Sequence, residues 1–505
     1  MKMKQKNKNI LLITSDQQHW FTIGRLNPQI KTPNLDRLCN QGMYFDRAYT
    51  VNPTCTPTRA SIITGKYPSQ HGAWTLGTKL LESEHTVGDV FTNAGYRTAL
   101  IGKAHFQPLR GTDMYSSLES YPILQNFDFW RKFSDSFYGF EHVELARNHT
   151  NESHVGQHYV LWLEDKGCHN WREYFLPPTG TMARSDNTVW NIPEEYHYNT
   201  WIAERTNALL KQYSDNNENF FLWASFFDPH PAYLVPEPYA SMYDPDSLAL
   251  NFATGGNGDN SVFLKLSQEE NPDISPYKQS GYFLHGVHSH LYDERMLRKQ
   301  VAVYYGMVTM LDKYIGKILD RLDDLGLAEE TVVAFTSDHG HFYGQHGLVA
   351  KGPFMYEDLI KVPFITRCTG QVKTGIINSA IQSLVDLPET FLDFCGIPLP
   401  DGTAGVSQKD VWLGLAENAR TWASCEHHHE YGSINLRSYI NQSYKITLYD
   451  HMEHGELYDL DNDPNENHNC WSDPEYLTIK TQLLHEFALA EMRKEPKYMK
   501  RIADA

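Results

Sequence analysis

Four short apolar runs constrain this chain more than any other feature, because each is continuous and each leads straight into reactive side chains. Residues 10–14 (ILLIT) lead into Ser15-Asp16-Gln17, and 98–101 (TALI) into Gly102-Lys103-Ala104-His105. Residues 220–226 (FFLWASF) lead into Phe227-Asp228-Pro229-His230, and 331–336 (TVVAFT) into Ser337-Asp338-His339-Gly340. Uninterrupted β-rich runs of this length suit strands covered on both faces, as in a parallel sheet. Helical patterns lie between them. Thr32 is a candidate N-cap, with Pro33 at the first helical position, Leu35 and Leu38 on one face and Gly42 as the stop. Residues 85–94 are amphipathic and halt at Gly95; 301–325 carry Val308, Leu311, Ile315, Ile318, Leu319 and Leu322 at helical spacing; 384–394 precede Gly396. The alternation predicts an α/β fold, a doubly wound, mostly parallel sheet flanked by helices. Ligands of such sheets bind beyond the carboxyl ends of the strands, so the reactive residues just named would share one rim.

The remaining texture is different. Residues of about 106–200 and 232–290 are rich in Tyr, Trp, Pro, Gly and Asn with weak periodicity, and read as insertions over the sheet edge. Gly255-Gly256-Asn257-Gly258 lacks a following Lys-Ser/Thr and a helix signal, so it reads as a loop and not a phosphate cradle. Short strand patterns at 422–425, 436–441, 444–449 and 456–460, then a helix pattern over 474–494, predict a C-terminal α+β subdomain carrying a short antiparallel sheet. The expected division is an α/β catalytic domain over 1–415 and this subdomain over 416–505. Lys+Arg number 44 against 62 Asp+Glu, a net charge of −18, which argues against a nucleic-acid partner but allows a locally positive pocket. Seven scattered cysteines form no disulfide framework. No apolar stretch reaches the roughly 18 residues of a membrane span. The run 10–13 is too short for a signal sequence, so a native start at Met1 implies a cytoplasmic protein, and a trimmed chain a periplasmic or secreted one.

The segment from Pro53 to Lys66 (PTCTPTRASIITGK) carries the chemistry. Thr56-Pro57 is a helix start, which sets Cys55 at a helix N-terminus where free N–H groups favour an anion. Arg59 lies one turn on and can reach back. Read bare, the pair fits a packed cysteine and a surface arginine equally well. Asp16-Gln17 and Asp338-His339 each follow a buried strand and could converge on one hard cation; each Asp could equally cap the next loop. In Glu426-His427-His428-His429-Glu430 adjacent strand side chains alternate faces, so the three histidines cannot all ligate one ion. His427 and His428, together with Arg437 and His71, are candidate substrate-mouth residues.

Cys55-x-Pro57-x-Arg59 followed by Thr64-Gly65-Lys66 resembles the signature of the formylglycine-dependent sulfatases of the alkaline phosphatase superfamily, with Thr58 where Ser is more usual. The resemblance runs from Asn9 to about Glu466 and includes Thr32-Pro33-Asn34-Leu35-Asp36-Arg37-Leu38 and Gly455-Glu456-Leu457-Tyr458-Asp459-Leu460. It implies that a formylglycine-generating enzyme oxidises Cys55 to an aldehyde whose hydrate attacks sulfur. It implies further that Asp16, Gln17, Cys55, Asp338 and His339 hold one divalent metal, usually Ca2+. Gln17 replaces a more frequent Asp and His339 a frequent Asn, which leaves Mn2+ open. Arg59 would hold the nucleophile and Lys103 a sulfate oxygen. His105 would orient the nucleophile or act as base, and His230 and Lys351 would stand by the leaving oxygen. The implied activity is hydrolysis of a sulfuric ester, an aryl or carbohydrate sulfate. One rival is a phosphonate monoester or phosphodiester hydrolase of the same superfamily; the other is a non-catalytic anion-binding protein with unmodified Cys55. Self-association is left open.

Overall fold

The structure, a computed structural model, describes residues 8–147, 151–175, 188–250, 261–277, 293–398, 400–430, 434–496 and 502–503. The Gly255–Gly258 stretch lies outside them. Eight strands form the main sheet: β1 (Asn9–Ser15), β2 (Met43–Phe45), β3 (Arg97–Gly102), β4 (His142–Leu145), β5 (Phe220–Ser225), β6 (Thr331–Ser337), β7 (Phe364–Arg367) and β8 (Ile376–Asn378). Their order is β8-β2-β7-β6-β1-β5-β3-β4. All pairings are parallel except those of β7, which runs antiparallel to β2 and β6.

The continuous apolar runs are the four central strands, and both faces of them are covered. Leu11 and Ile13 of β1 enter one core, while Ile10 and Leu12 enter the other. The first core is closed by α1 (Pro33–Gln41), α4 (Tyr198–Asp215) and α5 (Glu294–Asp324), the second by α2 (Cys55–Thr64), α3 (Val87–Asn93) and α6 (Leu387–Cys395). Every residue of α2 is buried, so this helix has no solvent face. α5 starts at the Asp293 cap, before the expected 301, because its first turn is polar and hides the period. Thr32 precedes α1 as expected but makes no cap hydrogen bond to it. The cap comes from α5: the Asp312 carboxylate accepts from Leu35 N at 2.7 Å and Asn34 N at 3.1 Å. A long-range carboxylate thus satisfies the orphan N–H groups that a local hydroxyl was expected to take.

At the C-terminus β9 (Ala423–Glu430), β10 (Ile434–Ile440), β11 (Tyr444–Tyr449) and β12 (Gly455–Asp459) form an antiparallel sheet, against which α7 (Leu477–Arg493) packs. This sheet shares a core with the main body, in which Ala423, Cys425 and Leu436 pack with Tyr49, Phe342 and Leu359. Two backbone-anchored bonds tie it to the loop before α2: Glu426 N to Val51 O at 2.8 Å, and Asn52 Nδ2 to Glu426 O at 2.5 Å. Among the described residues, no helix is long and apolar enough to cross a membrane.

Candidate active site

The register of the sheet builds the site. β1 and β6 are parallel neighbours with Ser15 opposite Ser337, so Asp16 and Asp338 leave the sheet side by side. Gln17 N donates to Asp338 Oδ1 at 3.0 Å. Lys103 leaves β3 beside β5 after Gly102, whose φ is +108° and whose added Cβ would stand 1.9 Å from Ser225 O. Only glycine permits that approach. α2 brings Cys55 to the same rim at its first turn. The loop before it is pinned by polar side chains: Thr58 Oγ1 donates to Asn52 O, and Thr50 Oγ1 to Asp338 O, both at 2.7 Å.

One ligand atom from each of Asp16, Cys55, Asp338 and His339 lies within 4.8 Å of all the others, and all four residues are buried. His339 Nδ1 donates to Gly340 O at 2.9 Å, which leaves the Nε2 lone pair facing Cys55 Sγ at 3.2 Å. Gln17 Nε2 donates to His341 Nδ1 at 2.9 Å, and His341 Nε2 in turn faces the Tyr233 hydroxyl at 2.9 Å. That fixes the Gln17 amide and leaves its Oε1 buried with no hydrogen-bond partner. Two carboxylates, an unpartnered buried amide oxygen and an imidazole lone pair are a donor set that fits a divalent cation.

Three buried cations neutralise this rim. Arg59 donates from Nε to Asp338 Oδ2 at 2.8 Å and pairs with Asp16 Oδ2 at 3.5 Å; its Nη1 binds Lys103 O at 2.9 Å and Ser225 Oγ at 2.8 Å. Lys103 Nζ pairs with Asp16, and Lys351 Nζ lies 3.2 Å from Cys55 Sγ and 3.4 Å from His339 Nε2. Burial pushes the Asp16 carboxyl up, but Lys103, Arg59 and Lys351 outweigh it and hold it well below the usual carboxylate range. For the Cys55 thiol, burial and Asp16 oppose ionisation, yet Lys103 and Lys351 bring it below the ordinary thiol value. His230, at the edge of the site, is held well below an ordinary imidazole by burial and by Lys351 and Lys103. Gln17, His105 and Ala350 have φ of +61°, +60° and +61°. Left-handed backbone beside three rim elements is strain held where side chains must be aimed.

The structure therefore gathers Asp16, Gln17, Cys55, Arg59, Lys103, Asp338, His339 and Lys351, with His105 and His230 on the same strand exits. It places others elsewhere. His71 binds Ser61 Oγ at 3.0 Å and accepts from Ala73 N at 3.1 Å, beneath α2. His427 is buried opposite Leu436, and His428 packs on Trp74 with ring centroids 4.6 Å apart. Arg437 pairs with Glu491 of α7 and lines a cavity of about 510 Å³ in the C-terminal sheet. The sequence reading missed His341, Tyr233, Ser225 and Arg147. Only His341 carried a signal, standing two residues past His339 at the end of a buried strand.

The sheet, its carboxyl rim and the appended antiparallel sheet are those of the alkaline phosphatase superfamily, a class of enzymes. The chain belongs to the sulfatase family within it: the Sulfatase profile matches residues 8–397, and the profile described as N-sulphoglucosamine sulphohydrolase, C-terminal, matches 344–495. An arylsulfatase of Clostridium perfringens is 29% identical over 486 residues, covering 93% of this chain and 91% of the relative. An N-acetylglucosamine-6-O-sulfatase of Bacteroides thetaiotaomicron is 26% identical over 518 residues, covering 98% and 88%. The crystal structure of a phosphonate monoester hydrolase of Agrobacterium radiobacter superposes with a TM-score of 0.77 at 22% identity, covering 98% of this chain and 100% of that one.

Proposed function

We propose that the protein hydrolyses sulfate monoesters, of aryl or carbohydrate alcohols, with a formylglycine made from Cys55 as nucleophile. The observation that carries this reading is the place of Cys55 Sγ, inside the donor cluster of Asp16, Asp338 and His339 and 3.2 Å from Lys351 Nζ. Asp16, Gln17, Asp338 and His339 would hold the divalent metal, calcium by family resemblance or manganese by the nitrogen donor; when bound it supplies Lewis-acid charge next to residue 55. Residue 55 in its aldehyde form supplies, as the hydrate, an oxygen nucleophile in place of sulfur.

The chain's own residues do the rest. Arg59 fixes both carboxylates, so their oxygens are already aimed before substrate arrives. Lys351, beside position 55, and Lys103, beside Asp16, meet the oxygens of a bound sulfate as charges set in place in advance. Lys351 Nζ would donate the proton to the leaving oxygen, and His230, neutral with its proton on Nδ1 toward Pro231 O, would accept a hydrogen bond from the alcohol so formed. His105, two residues past Lys103 on the same strand exit, would take the proton from the nucleophile.

The test is sulfate release from aryl sulfates and sulfated hexosamines, combined with the mass of the peptide bearing residue 55. An aldehyde mass with sulfate release supports the reading; a persistent thiol in active protein refutes it. A second reading is a phosphonate monoester hydrolase, whose family resembles this chain in the Asp16-Gln17 and Asp338-His339 pairs. An aryl phosphonate monoester turned over in preference to the matched aryl sulfate decides for that reading.

A further inference from the structure

β4 is one of the two edge strands of the sheet, and Ala146 N continues its ladder to Gly102 O at 3.1 Å. Arg147 therefore emerges at the carboxyl rim, next to the exit of Lys103. Its side chain is 5% exposed, and its Nε lies 3.5 Å from Glu119 Oε2. Neither its Nε nor its Nη1 makes a hydrogen bond, and both atoms are buried. Glu119 is 2% exposed and its other oxygen accepts from Phe106 N at 3.0 Å, so it is fastened to the Lys103–Phe106 segment and does not follow the guanidinium. Burial lowers the Arg147 pKa, and the next charges acting on it after Glu119 are Cys55, Asp16 and Arg59. The guanidinium thus lies at the same rim as Cys55 and Asp16, within electrostatic reach of both and outside the innermost ring of charges. Among the described residues, Glu119, not Asp16, is its carboxylate within ion-pair distance.

Arginine cannot discharge itself by losing a proton, and a buried N–H without an acceptor is disfavoured. With Nε facing Glu119, the buried Nη1 on the other side of the guanidinium still offers N–H groups and a charge, at the rim of a site that takes an ester anion. Such a group takes an oxygen of a carboxylate or sulfate in a charge-assisted bond. The reacting sulfate already has Lys103 and Lys351. We propose that Arg147 forms a second anion subsite, which binds a non-reacting carboxylate or sulfate group carried by the substrate next to its scissile sulfate. This rests on the sulfatase reading and narrows it to doubly anionic esters.

The test compares three aryl sulfates on the mature full-length enzyme: 4-nitrophenyl sulfate and its derivatives bearing a carboxylate or a second sulfate on the neighbouring ring carbon. One charge-assisted pair predicts that kcat/KM for at least one derivative exceeds that of the parent by about tenfold or more. R147M should bring that ratio to about unity, and R147K should keep part of it because the charge remains. The ratio cancels any loss of folded or converted enzyme. The two derivatives separate a carboxylate subsite from a sulfate subsite. No preference in the wild type, a preference that survives R147M, or an equal fall for all three substrates in both variants would overturn the proposal. Absence of sulfate release from all three by enzyme with the aldehyde mass would refute the sulfatase reading itself, and the subsite with it.

Discussion

Replacing Arg59 by methionine keeps the stem and removes the charge that holds Asp16 and Asp338 together. The guanidinium is 0% exposed, and so are both carboxylates. Lys103 still pairs with Asp16 in the variant, so the loss falls on Asp338 Oδ2, which has Arg59 Nε at 2.8 Å. Removing one partner of a buried ion pair costs about 3–5 kcal/mol, because the remaining charge stays desolvated. The acceptors Lys103 O and Ser225 Oγ lose donors as well, and Ser225 Oγ keeps its own bond to Lys103 O at 2.7 Å. R59M should therefore lower the unfolding free energy by about 4 kcal/mol, and R59M/D338N should recover at least about 1 kcal/mol of it. Urea unfolding of the full chain followed by tryptophan fluorescence, with a chelator present, measures both. The reasoning is refuted by an R59M loss within about 1 kcal/mol of zero, or by strictly additive single and double variants.

Three further outcomes follow from the same geometry. K351M should reduce turnover by about 10²–10³-fold, and in unconverted protein should raise the pH at which the Cys55 thiolate absorbs. The background for that titration is clear, since burial pushes Cys39, Cys368 and Cys395 to about 12 and Cys470 to about 11. H341L should weaken manganese or calcium binding by about 10–100-fold in calorimetry, because the Gln17 amide loses its anchor; unchanged affinity would contradict that role. Burial raises the Asp312 carboxyl to about 6 even though it caps α1, so its stabilising contribution is complete below about pH 4 and is lost as pH rises through 6. D312N carries a constant cost from its misplaced amide, but thermal unfolding should show it gaining on the wild type between pH 4 and pH 6, then running parallel; a gap independent of pH would count against this assignment.

The strands that carry the site were legible because they are buried on both faces, and double burial demands unbroken apolar runs such as 331–336. The strands that were missed are short and their sequences are ambiguous. Met43–Phe45 and Ile376–Asn378 have three residues each, and His142–Leu145 alternates polar and apolar residues at the sheet edge. For the same reason Arg147 was invisible: without β4 there is no exit for it to follow. The histidine run 427–429 lies within β9, next to a register shift between His428 and Glu430; the His427 and His429 rings lie 5.6 Å apart while His428 packs on Trp74. Arg437, the other residue expected near the substrate, pairs with Glu491 on the packing helix, a partner 54 residues away that the sequence does not mark. The cap of α1 could not be foreseen either, because Asp312 lies 277 residues from Leu35.

The charge of the whole chain and the charge of the rim have opposite signs, and burial lets both coexist. At −18 the protein surface repels anions, but that repulsion is screened within about 8 Å at physiological salt. Arg59, Lys103, Lys351 and Arg147 are sealed among Asp16, Asp338 and Glu119, where screening is weak and each charge acts at short range. Those cations exceed the carboxylates by one even before a divalent ion adds to the balance. Arg59 shares this balance with the lysines: it pairs with both strand-end carboxylates, Lys103 pairs with Asp16 as well, and Lys351 lies beside Cys55 with no carboxylate ion pair among the described residues. A preference of the proposed site for anions would therefore follow from how these cations are placed around the strand-end carboxylates, a property of sheet register that overall charge does not report.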